Sequence, residues 1–134
     1  RGNAGGRGAI AATSGPVLIQ NSLIAGNVGT ASPSSAGGIT LSNVATATIT
    51  NSTIASNFTA ASQAGGIQLL GTTSLALRNS IVWGNDNAQG TGTQISGVPT
   101  TVGNNLVERN TPVGVFRNPL FVTPLVPSAT PSTA

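Results

Sequence analysis

The sequence predicts an all-β fold, a right-handed parallel β-helix of about four coils with asparagine ladders. Three observations predict it. A seven-residue motif returns four times, as Asn21–Asn27, Asn51–Asn57, Asn79–Asn85 and, in degenerate form, Asn104–Asn110, at steps of 30, 28 and 25 residues. A second landmark keeps the same beat: Ala36-Gly37-Gly38-Ile39 returns as Ala64-Gly65-Gly66-Ile67 after 28 residues. Between the landmarks apolar and polar residues alternate, as in Ala47 and Ile49 set among Thr46, Thr48 and Thr50. A fixed period of this length is the mark of a repeat architecture. Alternation with period two is the mark of strands with one buried face.

Composition agrees. The chain has 134 residues, enough for one domain. Charged residues make up 5% and aromatic residues 3%, with three Phe, one Trp and no Met. A wide core needs bulky side chains to reach protein packing density, and these are too few. A thin core of Val, Ile and Leu suits the alphabet better, and β-branched residues favour strands. The net charge is +3, but its basic residues are five scattered arginines, Arg1, Arg7, Arg78, Arg109 and Arg117. A nucleic-acid surface needs clustered charge, so none is expected. The chain has no Cys, which excludes disulfides and thiolate metal sites. No apolar run reaches the 18 residues of a membrane helix. The sequence opens on Arg1 rather than Met, the expectation for a processed chain or a fragment.

The elements follow in order. Residues 1–118 are expected to form the β-helix, each coil holding about three short strands. Successive coils stack about 4.8 Å apart, so equivalent residues should form interior columns. One is Ile10, Ile39, Ile67 and Ile95; a second is Ile19, Ile49, Leu77 and Val102; a third is Ile24, Ile54, Val82 and Val107. Asn tolerates left-handed turns and can hydrogen-bond along the stack. Two structural ladders are therefore expected, Asn21, Asn51, Asn79 and Asn104, and Asn27, Asn57, Asn85 and Asn110. The paired glycines are expected to turn the backbone with positive φ. Val28 to Ser35, Phe58 to Gln63 and Asp86 to Thr93 read as projecting loops. Residues 119–134, with Pro119, Pro124, Pro127 and Pro131, read as an extended tail or linker.

The chemistry available is sparse. The acids are Asp86 and Glu108, and there is no His, Cys, Lys or Tyr. Glycoside hydrolysis usually needs two carboxylates across one bond. Aligned by repeat, Glu108 shares a column with Trp83, Ala55 and Ala25, while Asp86 stands three positions further on in the preceding coil. The expectation is no enzyme, no catalytic residue, no cofactor and no metal. Gly5-Gly6-Arg7-Gly8 has the glycine spacing of a calcium nonapeptide without its Asp or its repetition. Trp83, Arg78, Arg109 and Glu108 are the candidate glycan contacts, since aromatic faces and planar guanidinium groups suit sugars. Thr46, Thr48 and Thr50 do not extend into an ice-binding ladder, because their counterparts are Pro16, Leu18 and Gln20 on one side and Ser74, Ala76 and Arg78 on the other. Asn51-Ser52-Thr53 and Asn57-Phe58-Thr59 match the glycosylation sequon.

At these same residues a resemblance enters. The alternation of Gly-Gly-Ile with Asn-Ser-Thr-Ile-Ala-Ser-Asn and Asn-Ser-Ile-Val-Trp-Gly-Asn resembles bacterial cell-surface β-helix repeat proteins. These include the polymorphic outer-membrane protein repeats and the secreted proteins of the choice-of-anchor type. Asn105-Leu106-Val107 and Asn118-Pro119-Leu120-Phe121 are similar to the closing segments of the latter, with Asn118 in place of the usual Asp. The resemblance covers about residues 5–122. It implies a secreted, cell-surface protein with an adhesive or structural role. The function expected is a non-catalytic extracellular β-solenoid, self-assembling head to tail as a filament or surface fibre. The alternative is a carbohydrate-binding or polysaccharide-processing β-helix. The partners expected are further copies meeting at uncapped coil ends, with cell-surface or glycan ligands, no nucleic acid and no membrane span.

Overall fold

The computed structural model describes residues 2–30, 35–61 and 63–108. Within them the chain winds through strands and turns alone. The first coil carries β1 (Ala4–Gly5), β2 (Ile10–Ala12), β3 (Pro16–Gln20) and β4 (Leu23–Ala25). The second carries β5 (Val28–Gly29), β6 (Ile39–Ser42), β7 (Thr46–Thr50) and β8 (Thr53–Ala55). In the third are β9 (Phe58–Thr59), β10 (Ile67–Leu70), β11 (Leu75–Arg78) and β12 (Ile81–Trp83). The fourth holds β13 (Asp86–Asn87), β14 (Ile95–Ser96), β15 (Thr101–Gly103) and β16 (Leu106–Val107).

Every fourth strand stacks in parallel on the one before. Sheet A is β1-β5-β9-β13, sheet B β2-β6-β10-β14, sheet C β3-β7-β11-β15 and sheet D β4-β8-β12-β16. The chain thus completes three circuits and most of a fourth. Each circuit has four strands, where the sequence reading expected about three. The extra one is sheet A, formed by the first two residues of each segment read as a loop: Val28 and Gly29, Phe58 and Thr59, Asp86 and Asn87. Strands this short give no alternation to detect.

The interior columns stand in the expected register. Ile39 pairs with Ile10 and Ile67, and Ile67 with Ile95. Ile49 pairs with Ile19 and Leu77, and Leu77 with Val102. Ile54 pairs with Ile24 and Val82, and Val82 with Val107. Most of these side chains are fully buried, each contributing about 1.5–3 kcal/mol relative to exposure. Val102, in the last strand of sheet C, is 39% exposed.

Two kinds of column shape the corners. Asn21, Asn51, Asn79 and Asn104 all have left-handed backbone, with φ between 49° and 54°. Each turns the chain from sheet C to sheet D. Gly37, Gly38, Gly65 and Gly66 do not have positive φ, contrary to the expectation. They are glycines for want of room. A Cβ at Gly37 would strike the Phe58 backbone, at Gly65 the Asp86 backbone, and at Gly66 the carbonyl of Gln94. Neighbouring coils approach there too closely for any side chain. Arg1, Arg109, Asn110, Arg117 and the expected tail at 119–134 lie outside the described residues.

Candidate functional site

The polar centre of the molecule is a column of buried amides where sheet D turns into sheet A. The backbone N–H and Nδ2 of Asn27 both donate to Oδ1 of Asn57, at 3.0 and 2.8 Å. Those of Asn57 both donate to Oδ1 of Asn85, each at 2.9 Å. The second amide hydrogen of Asn57 reaches the Ile24 carbonyl, and that of Asn85 reaches the Ile54 carbonyl. Asn57 is completely buried. With two donors placed and two lone pairs filled, its amide has no unmet capacity. At the first coil, Oδ1 of Asn27 accepts the N–H of Asn3 at 2.8 Å.

The ladder continues into a residue the sequence reading did not place in it. Asn85 donates its backbone N–H and Nδ2 to Oε1 of Gln94, at 3.1 and 2.7 Å. Gln94 stands in the column of Gly38 and Gly66, one residue before the Ile39, Ile67 and Ile95 column. At those glycines the asparagine of the same coil fills the space: a Cβ on Gly38 would sit 3.2 Å from Asn57 Nδ2. In the fourth coil the Gln94 side chain fills it instead. Nε2 of Gln94 then shares its two hydrogens among three acceptors, the Asn85 carbonyl, the Gly92 carbonyl and Oε2 of Glu108. The same Glu108 oxygen accepts the N–H of Gly84 at 2.8 Å. The signal was present in the sequence as Gln94-Ile95 where the second and third coils have Gly38-Ile39 and Gly66-Ile67.

A second ladder was also missed. Ser22 donates its backbone N–H to Oγ of Ser52, and Ser52 to Oγ of Ser80, both at 3.2 Å. Ser80 donates to Oδ1 of Asn105 at 3.0 Å. Each hydroxyl in turn donates to the carbonyl two residues back, Gln20, Thr50 or Arg78. The repeated Asn-Ser pair, closing on Asn104-Asn105, was the signal. By contrast, the column of Asn21, Asn51, Asn79 and Asn104 is exposed, and Asn104 Nδ2 to Asn79 Oδ1 at 3.3 Å is the side-chain bond between its members. Water competes for exposed amides, so this column is held by its backbone conformation rather than as a ladder. Asn110, expected in the inner ladder, lies outside the described residues.

Both carboxylates have structural partners. Oδ1 of Asp86 accepts the N–H groups of Asn87 and Gly92, at 2.8 and 2.9 Å, and so ties off its own loop. Asn87 is buried beside it and accepts from the N–H groups of Gln89 and Thr91. The segment read as a projecting loop is therefore an internally bonded turn. Glu108 is the acceptor for Gly84 and Gln94 described above.

The three described candidate glycan contacts, Trp83, Arg78 and Glu108, are not assembled into one site. Trp83 ends β12 on the outer face of sheet D, half-buried, in register with Ala55. Glu108 shares that column, but its carboxylate turns back to Gly84 and Gln94. Arg78 ends β11 on sheet C, across the Asn79-Ser80 corner, and lies over Gly103. Arg109 lies outside the described residues. Among the described residues no three His, Cys, Asp or Glu side chains stand together as metal ligands, and no helix is long and apolar enough to cross a membrane.

The stacked parallel sheets have a counterpart among known families. The family model for the right-handed β-helix region matches residues 2–119. The chain belongs to that family. Its match includes the fourth coil with Gln94 and Glu108, so this right-handed β-helix carries the irregular end of its amide ladder within the family's own span. Comparison with curated proteins gives no match, and neither does comparison with solved structures.

Proposed function

We propose that this right-handed β-helix is a non-catalytic structural or adhesive scaffold of the cell exterior, able to associate head to tail with further copies. One observation carries the reading. Each of the two acids in the sequence is engaged as an acceptor of the fold's own N–H groups, Asp86 by Asn87 and Gly92, Glu108 by Gly84 and Gln94. General acid–base chemistry needs a carboxyl placed to meet a substrate proton, and both of these already serve the turn beside them. Fully bonded ladders favour a rigid rod instead.

The association is supported by the inward columns. Val102 in the last strand of sheet C is partly open, and Ile10, Ala12 and Val17 in the first coil are half-buried. Strands β2, β3 and β4 each have a strand on one side among the described residues. A strand edge of this kind pairs readily with another strand, whether of a further coil or of another chain, and a charged fraction of 5% offers little repulsion. The amide ladder is closed by Gln94 and Glu108, so the joint would form through sheets C and D. Location outside the cell rests on the resemblance to surface β-helix repeats.

Electron microscopy of the purified chain over a range of concentrations tests this. Fibres with a subunit rise of about 19 Å, four coils at about 4.8 Å each, support the joint. Monodisperse particles at the highest concentration remove it. Turnover of a polysaccharide panel that disappears in Glu108→Gln or Asp86→Asn would overturn the non-catalytic assignment.

A further inference from the structure

On the side of the molecule formed by sheet B lies a depression of about 270 Å3. Arg7, Ala12, Thr13, Thr40, Ser42 and Leu70 are among the residues that line it. Arg7 precedes β2, Thr13 follows it, and Ser42 and Leu70 face each other in register at the ends of β6 and β10.

The hydroxyls of Thr13 and Ser42 and the guanidinium of Arg7 have no hydrogen-bond partner among the described residues. The Thr40 hydroxyl accepts the N–H of Ala36 at 2.9 Å and keeps its own hydrogen free to donate. No acid lines the depression. Both acids of the sequence are engaged at other corners, so nothing in the described fold neutralises Arg7.

We infer that this depression binds a small organic oxyanion, a carboxylate or sulfate ester, held by Arg7 and the Thr13, Thr40 and Ser42 hydroxyls. A guanidinium presents a planar fork that matches such a group with two parallel hydrogen bonds. The hydroxyls add donors beside it. The volume lies just under the roughly 300–1,000 Å3 of pockets for drug-sized ligands. It fits one anionic group with at most a single ring, and any longer chain bearing that group has to run past the depression. The inference stands apart from the scaffold reading and survives its failure.

The test is a titration followed by amide and arginine Nε–H resonances. The probes are sodium acetate, sodium methyl sulfate and dextran sulfate, with sodium chloride at matched ionic strength. Saturable shifts at Arg7, Thr13 and Ser42 are expected with acetate or methyl sulfate, absent with chloride. Arg7→Ala should abolish them, and Arg7→Lys should weaken binding about tenfold by removing the fork. Arg78→Ala, on another sheet, should leave them unchanged. Arg7 is exposed, and unchanged resonances elsewhere will show that its variants remain folded. If dextran sulfate competes for the same resonances, the anion is one borne on a polymer; if it does not, the ligand is a free small molecule. Shifts linear in concentration, shifts retained in Arg7→Ala, or equal response at Arg78 would overturn the inference.

Discussion

Nδ2 of Asn85 donates to Oε1 of Gln94 at 2.7 Å, so that a glutamine reaching across nine residues occupies the acceptor position that an asparagine of the next coil holds elsewhere in the ladder. Asn27 finds that acceptor in Asn57, and Asn57 finds it in Asn85. The longer side chain of Gln94 arrives from the glycine column instead. It closes the ladder on Oε2 of Glu108, the same oxygen that accepts the N–H of Gly84.

Removing the middle of the ladder should be severe. Asn57→Ala removes the acceptor of the Asn27 N–H and Nδ2 and the amide donor to the Ile24 carbonyl, and leaves Oδ1 of Asn85 with the backbone N–H of residue 57 alone, all in the buried interior. The expected loss is on the order of 3 kcal/mol, given about 1–3 kcal/mol for a buried group left unsatisfied. Urea unfolding would measure it. The exposed Asn51 provides the contrast, and Asn51→Gly should lie within about 0.5 kcal/mol of wild type because glycine also accepts left-handed backbone. Equal losses in the two variants would refute the distinction between the columns.

Gln94→Leu tests the closure. Volume is nearly kept, but the acceptor for Asn85 and the donor to Glu108 are lost. We expect about 1–3 kcal/mol of destabilisation, with faster hydrogen exchange at the amides of Asn85 and Gly84. Unchanged exchange at both would mean that water replaces the glutamine at no cost.

Glycine positions should separate by cause. At Gly66 a methyl group meets the Gln94 carbonyl and the Asn85 side chain, so Gly66→Ala must push two coils apart. At Gly15 nothing stands within 4 Å, although φ is 76°. Gly15→Ala should therefore cost only about 1–2 kcal/mol, the strain of left-handed backbone. Thermal melts of the two variants should differ clearly, with Gly66→Ala the less stable.

Ser56 offers a stabilising change. It holds φ of 53° in the position where the neighbouring coils have Gly26 and Gly84. Ser56→Gly removes the strain of a side chain in left-handed backbone, and a gain of about 0.5–1 kcal/mol is expected after the entropy cost of glycine. A lower melting temperature would show that the Ser56 side chain contributes more than its strain.

Much of this was written in the sequence because a solenoid repeats its environment. Ile39 and Ile67 meet the same neighbours one coil apart, so the same residue type recurs and the register can be read by eye. Asn51 and Asn79 recur for the same reason at a corner that needs left-handed backbone. The two-residue strands of sheet A could not be read, since Val28-Gly29, Phe58-Thr59 and Asp86-Asn87 share neither side-chain type nor alternation. The bonding of Gln94 and Glu108 was not read either: Gln-Ile in place of Gly-Ile marked the position, but each residue acts where the repeat departs from itself, and a departure has no second copy to show what it does.

The sequence by itself therefore determined the coil, its period, its three apolar columns and the identity of the asparagines, all of which follow from local periodicity. The tertiary structure decided which asparagine column is buried and bonded, why the paired glycines are glycine, where the amide ladder closes, and that Trp83 and Arg78 stand on different sheets. These depend on the distance between one coil and the next and on which side chain fills the gap, and a linear pattern specifies neither.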